Sequence, residues 1–322
     1  MKHIKIWLLL LLCIFGCMLI GCSDVTGEIP NEEPAPTEFS VTFKSEGKKY
    51  HGAVVSKGHP VAKPVKDPEK TSYKFMGWYS DEACTKLYDF QTPVTNSFTL
   101  YSKFELDNEK INEGIDKLKT SIMKISNKCF NIDKDGKETD STTIEGIGVI
   151  FNISNGYCFM ISNHHVTEQR SGYTHQKVTV TDYKGRTYTG LFYDGKGYEA
   201  TSSDYDLSIV CCVYNKTDLK AAPIKRNDPV ADDIVVAVGV NDEKPVTGVI
   251  TKSDLATIPM DEYLSNVTFE VLHHTASAES NEALLFDLDM ALVGFTYAND
   301  NGVSYAIPTT RIYDFLYAFV YQ

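Results

Sequence analysis

Between residues 123 and 308 the chain consists of short runs of strand-forming residues separated by turn signals. Four of these runs are Gly146-Ile147-Gly148-Val149-Ile150-Phe151, Tyr157-Cys158-Phe159-Met160-Ile161, Lys177-Val178-Thr179-Val180 and Ile234-Val235-Val236-Ala237-Val238. Runs rich in β-branched and aromatic residues at short, regular spacing predict an all-β sandwich or barrel. A helical period returns only at the end, where Ile312, Phe315, Leu316 and Phe319 share one face. The expected fold class is therefore mainly β, closed by a C-terminal helix.

A smaller unit precedes this region, at residues 38–106. Phe39-Ser40-Val41-Thr42-Phe43 alternates apolar and polar side chains, as a strand with one buried face does. Gly47 and Gly52 are read as bracketing a turn region, with Val54-Val55 continuing in strand formers. Pro60, Pro64 and Pro68 exclude a helix interior. Tyr73-Lys74-Phe75-Met76-Gly77-Trp78-Tyr79 and Phe98-Thr99-Leu100-Tyr101-Ser102-Lys103-Phe104 complete the strands. With Tyr88-Asp89-Phe90 and Pro93-Val94-Thr95, these residues resemble the Listeria–Bacteroides repeat, also called the internalin B-repeat. The resemblance implies a small β-grasp module of the bacterial cell surface, present in one copy. Its aromatics read as core, and the unit as a spacer or surface-interaction module. Residues 107–122 form a linker helix, since Ile111, Ile115, Leu118 and Ile122 fall on one face.

The chain opens with Lys2 and Lys5, an uncharged apolar run from Ile6 to Ile20, and then Gly21-Cys22. That order is a secretory signal, and the run is short of the ~20 apolar residues a spanning helix needs. The ending Leu19-Ile20-Gly21-Cys22 resembles the bacterial lipobox. It implies cleavage after residue 21 and a lipid on the Cys22 sulfur, holding the protein to the membrane outside the cytoplasm. Two acyl chains make such an anchor stable. Residues 22–37, polar with Pro30, Pro34 and Pro36, read as a disordered tether. Loss of residues 1–21 removes two lysines and no acid, moving the net charge from −12 to −14. An acidic chain has no electrostatic footprint for nucleic acid. Outside the signal and Cys22, five cysteines remain, without metal-ligand spacing, and read as small buried apolar groups.

Three segments could carry chemistry. Ser162-Asn163-His164-His165-Val166 follows an apolar strand, whose end mounts a general base rigidly. Asp204-Tyr205-Asp206 precedes another apolar strand. Ser280 lies in the polar stretch Ala278-Glu279-Ser280-Asn281-Glu282, ahead of the apolar run Ala283-Leu284-Leu285. Acyl transfer needs a nucleophile, a base to take its proton, and an acid to orient that base. The order His, Asp, Ser on an all-β scaffold fits the chymotrypsin-like arrangement.

Residues 123–322 accordingly resemble a trypsin-like serine protease of the bacterial high-temperature-requirement type. Gly146 to Ile150 is similar to that family's Gly-Ser-Gly-Val-Ile strand. Ile161 to Val166 is similar to its Leu-Thr-Asn-x-His-Val, and Asp206-Leu207-Ser208-Ile209-Val210 to its Asp-Leu-Ala-Leu-Leu. Val246-Thr247-Gly248-Val249-Ile250 and Tyr305-Ala306-Ile307-Pro308 extend the likeness. The resemblance implies a double β-barrel in which His165 is the base, Asp206 the orienting acid and Ser280 the nucleophile. Backbone N–H groups of Ala278 and Ser280 would form the oxyanion hole. Protein or peptide substrates are implied, and no cofactor or metal. The family's nucleophile loop reads Gly-Asn-Ser-Gly-Gly, so three glycines are replaced here, by Ala278, Asn281 and Glu282. The intact triad favours an active endopeptidase; the altered loop favours a protease-like, catalytically impaired binding module.

The remaining candidates are weaker. His164 and the pair His273-His274 lack metal spacing with a nearby acid. His274, six residues before Ser280, falls near where the family's substrate pocket begins. Asp133 to Glu138 has the look of a calcium loop but Ile144 stands where the last glutamate belongs, so a solvated turn is the expectation.

Overall fold

The computed structural model describes residues 37–192, 201–239, 244–258, 267–276, 283–300 and 303–319. The expected signal peptide, Cys22 and all but the end of the tether lie outside them.

The first unit has four strands: β1 (Glu38–Ser45), β2 (Lys48–Ser56), β3 (Tyr73–Tyr79) and β4 (Phe98–Leu106). Their order is β2-β1-β4-β3, with β1 antiparallel to β2 and parallel to β4. The β1–β2 turn is Glu46-Gly47, both at positive φ (50° and 75°), the conformation whose twist suits a two-residue hairpin. Gly52 is not part of a turn, contrary to expectation; it pairs with Thr42 inside β2. The tight pair 46–47 already reverses the chain, so β2 runs uninterrupted. Val41, Phe43, Trp78 and Leu100 are buried in this unit's core. Phe43 meets Trp78 edge-on at 4.9 Å, as expected of aromatics that serve as core.

Helix α1 (Asn108–Leu118) follows, capped by Asp107, whose carboxylate accepts the Lys110 N–H at 3.2 Å. It buries Ile111, Ile115 and Leu118 against the cluster between the two sheets that follow. The helix stops short of the expected residue 122. A single 3-10 turn spans Lys119–Ser121, and Ile122 opens the next strand because it pairs with Val149.

An eight-stranded antiparallel sheet, near-closed as a barrel, comes next. It is built from β5 (Ile122–Ile132), β6 (Glu138–Ser154), β7 (Tyr157–Ser162), β8 (His175–Thr181), β9 (Thr187–Thr189), β10 (Leu191–Phe192), β11 (Thr201–Ser202) and β12 (Leu207–Val213). A one-turn helix, α2 (His164–Thr167), sits between β7 and β8. The main path is β10-β12-β7-β6-β5-β8-β9, with β11 on β12. The second sheet is a closed barrel of β13 (Ile234–Gly239), β14 (Val246–Ile258), β15 (Val267–His274), β16 (Ala283–Asp287), β17 (Leu292–Asp300) and β18 (Val303–Pro308), ended by α3 (Thr309–Phe319). The mainly β class, the two barrels and the closing helix all agree with the sequence reading.

Ile147, Ile161 and Leu207 of the first sheet pack with Val271, Leu284 and Phe286 of the second, and Ile312 and Phe315 of α3 join the same cluster. This shared core places the ends of strands from both sheets side by side. The five described cysteines are free thiols. Cys129, Cys158, Cys211 and Cys212 are buried as small apolar groups, whereas Cys84 is partly exposed. Asp133 to Lys137 forms an exposed turn between β5 and β6, and Glu138 opens β6; Asp133 accepts the N–H groups of Asp135 and Lys137.

Candidate active site

Strands β7 and β12 are neighbours, with Ser162 opposite Ser208. The chain leaving β7 and the chain entering β12 therefore emerge at the same edge. The first carries His165 on α2; the second carries Asp206 in the turn before β12. Asp206 is fully buried, and its Oδ2 lies 2.8 Å from His165 Nδ1. Its Oδ1 accepts the His165 backbone N–H at 2.9 Å, and Oδ2 also accepts Asn163 Nδ2 at 2.9 Å. A buried carboxylate is tolerable only with such partners. Donation of Nδ1–H to Asp206 leaves Nε2 as the ring's basic nitrogen.

Asp206 has a φ of 50°, uncommon for a side chain other than glycine, although aspartate tolerates it better than most. Its N–H is held by Ser203 O at 3.1 Å and its own carbonyl accepts the His164 N–H at 3.1 Å. Strained backbone of this kind persists where surrounding contacts over-determine it, often at functional sites.

Helix α2 is too short to hold itself, so the first sheet braces it. Buried Asn127 of β5 donates to the carbonyls of Val166 (3.0 Å) and Glu168 (2.8 Å). Gln176 of β8 donates to Asn127 Oδ1 at 3.0 Å, and Thr167 donates to Ser208 Oγ at 2.8 Å. Arg170 donates to the carbonyl of His165 at 3.2 Å and to Glu168 at 2.9 Å. Neighbouring His164 turns away, its Nδ1 2.6 Å from Thr201 Oγ1, and burial lowers its pKa despite the nearby Asp206. The structure thus brings together His165 and Asp206 as the sequence reading expects. Asn163 and Asn127 escaped that reading. Asn163 had one cue, its place two residues before His165; Asn127 had none, lying 38 residues upstream of that histidine.

The other two predicted site residues, Ser280 and Ala278, lie outside the described residues. The described residues on either side are held by hydrogen bonds and close packing. Thr275 N–H bonds Val249 O at 3.0 Å, and Val249 N–H bonds Thr275 Oγ1 at 3.0 Å. A side chain on Gly248 would put its Cβ 2.2 Å from Ala276 N, so only glycine lets β14 approach so closely. On the other side, Ala283 N–H bonds Thr296 Oγ1 at 2.8 Å and Ala283 pairs with Gly239.

His274 is buried at the end of β15, and burial pushes its pKa down to about 4. An unfolded histidine takes up a proton below about 6.5, but this ring does not until about 4. The folded state therefore loses stability as pH falls through that window, by up to about 1.4 kcal/mol per pH unit from this one group. His274→Phe is expected to lose less stability than wild type between pH 7 and pH 4.5 in urea unfolding; equal losses would exclude this source.

Residues 39–103 match the family model of the Listeria-Bacteroides repeat domain. Two Evansella cellulosilytica proteins are similar over short stretches. One, provisionally named as a Gly-rich membrane protein, is 39% identical over 72 residues, 22% of this chain and 8% of its own length. The other, provisionally named as a membrane protein, is 37% identical over 71 residues, 21% of this chain and 10% of its own length. Their full lengths therefore extend far beyond the match. Among solved structures, the Rv3671c protease from M. tuberculosis in its active form has a TM-score of 0.46 at 15% identity, covering 65% of this chain and 84% of that one. Among the described residues no helix is long and apolar enough to cross a membrane.

Proposed function

We propose that the chain is a serine endopeptidase tethered by a lipid on Cys22 to the outer face of the cell membrane, acting on protein or peptide substrates. The observation that carries this reading is the buried Asp206 carboxylate bonded to both Nδ1 and the backbone N–H of His165. A histidine so held keeps one tautomer, with Nε2 available as a base. In the proposed reaction Ser280 Oγ attacks the substrate carbonyl while His165 Nε2 accepts its proton. His165 then donates that proton to the leaving amine, and water repeats the cycle on the acyl-enzyme. Asp206 stays ionised throughout and stabilises the imidazolium. Backbone N–H groups of Ala278 and Ser280 would receive the oxyanion, a contribution of about 10²–10³ per donor.

The loop Ala278-Glu279-Ser280-Asn281-Glu282 favours a second reading, a surface binding module without turnover. Non-glycine residues there cost about 1–2 kcal/mol each wherever the loop needs left-handed backbone. One experiment separates the two. In cells making the full chain, a fluorophosphonate probe is expected to label Ser280 in the membrane fraction. Ser280→Ala abolishes labelling, and Cys22→Ala moves the labelled protein out of that fraction. A folded wild type that takes up no probe rules out the enzyme, and membrane retention of Cys22→Ala rules out the anchor.

A further inference from the structure

The turn that carries Asp206 is gripped from outside the sheet that carries His165. Arg311, in the first turn of α3, lays its guanidinium between two aromatic rings. It lies 4.9 Å from the centroid of Tyr205 and 4.0 Å from that of Phe269. The same guanidinium donates to the carbonyl of Asp204. Tyr205 immediately precedes Asp206, and its ring also meets Phe315 at 5.8 Å and Phe319 at 6.3 Å, both on α3. Phe269 is buried on β15 of the second barrel. One arginine thus ties together the second barrel, the closing helix and the turn that enters β12.

Both ends of this tie are firm. The Asp228 carboxylate accepts the Thr309 hydroxyl at 2.8 Å and the Thr310 N–H at 2.9 Å, so the start of α3 is fixed to the chain ahead of β13. At the other end, Asp206 N–H closes the turn on Ser203 O at 3.1 Å, and the two residues between them, Asp204 and Tyr205, are the ones that α3 holds. Asp206 needs that support. Its φ of 50° is costly for a side chain other than glycine, and it persists only where the surroundings enforce it.

We propose that Arg311 is a positioning residue for the His165–Asp206 pair: by clamping Asp204-Tyr205 to α3 it keeps the Asp206 carboxylate on His165, so the base is set only when the closing helix is docked. The consequence for turnover rests on the endopeptidase reading above; the effect on the His165 ring does not. Arginine suits the place. A planar guanidinium lies against an aromatic face on each side while an N–H in its plane reaches a carbonyl. Lysine keeps the charge and loses the plane.

The test uses the full chain in detergent and ¹⁵N NMR of the His165 ring, which reads the tautomer directly. Wild type is expected to hold a single tautomer, protonated at Nδ1. Arg311→Lys is expected to give a mixture of both tautomers with the fold intact by circular dichroism. Tyr205→Phe, which keeps the aromatic face, is expected to match wild type. Should Arg311→Lys not fold, Tyr205→Leu removes the stack from the other side and is expected to give the same mixture. In peptide hydrolysis Arg311→Lys is expected to lower kcat about a hundredfold with KM nearly unchanged. A folded Arg311→Lys or Tyr205→Leu that keeps the wild-type tautomer overturns the proposal, leaving the arginine a stabilising contact only. A changed His165 ring in a chain whose wild type neither cuts peptides nor takes up the fluorophosphonate probe supports the positioning role and overturns the endopeptidase reading alone.

Discussion

Asp206→Asn is expected, on the endopeptidase proposal, to lower the rate of peptide hydrolysis by about ten-thousand-fold without unfolding the protein, a loss of roughly 5.5 kcal/mol of transition-state stabilisation. Among the described residues the carboxylate accepts the backbone N–H and Nδ1–H of His165 and the side-chain amide of Asn163. An asparagine has one acceptor oxygen and one NH₂ group for the same three positions. If its oxygen keeps the backbone N–H of His165, its NH₂ faces Nδ1. The imidazole then accepts at Nδ1 and carries its proton on Nε2, where it cannot act as the base of the proposed reaction. Shape and volume are nearly unchanged, so folding survives while the base does not. The measurement is kcat/KM on a cleaved peptide, with circular dichroism to confirm the fold. A variant within tenfold of wild type would show that Asp206 does not orient His165.

The second large effect lies far from this site. Phe43→Ala is expected to unfold the N-terminal repeat and leave the two barrels intact. Phe43 is fully buried, edge-on to Trp78 and 6.4 Å from Phe90. Truncating a buried phenylalanine costs about 3–5 kcal/mol. A unit of this size seldom has more than about 3–5 kcal/mol in its core, so little stability is left. Trp7 and Trp78 are the only tryptophans, so in a chain beginning at residue 22 the fluorescence of Trp78 reports this unit alone. Its emission is expected to shift red in buffer, while the proposed hydrolytic activity of the barrels holds. Among the described residues Ser72 Oγ donates to Leu288 O at 2.8 Å, Asp107 N–H to Ser72 O at 2.9 Å and Lys110 Nζ to Tyr73 O at 3.2 Å; each is worth about 1 kcal/mol and two of them reach only the linker helix, so losing the repeat costs the barrels little. Loss of both signals together would mean that repeat and barrels fold as one unit.

Much of this architecture was legible in local patterns. The strands around Val41, Val149, Ile161 and Ile209 follow from alternation and β-branched content, and the buried face of α1 from the spacing of Ile111, Ile115 and Leu118. His165 and Asp206 stood out because each adjoins an apolar strand. Two local readings failed for one reason. Ile122 continues a helical period, and Gly52 is a common turn residue, but pairing with Val149 and with Thr42 claims them for strands. Strand pairing is a long-range effect, and it overrides a local preference that is small for any one residue.

What the sequence determined by itself was a mainly β chain in two units, with a histidine, an aspartate and a serine in the order suited to acyl transfer. Periodicity and residue chemistry are local properties, so they survive in the linear text. Tertiary structure decided which residues meet. The register of Ser162 with Ser208 brings His165 against Asp206, and turns Asn163 toward that carboxylate. It also buries His274 at the end of β15 in the second barrel. No pattern of residues records this, because hydrogen-bond partners and burial depend on side chains that lie far apart along the chain and are brought together only by the closing of the sheets.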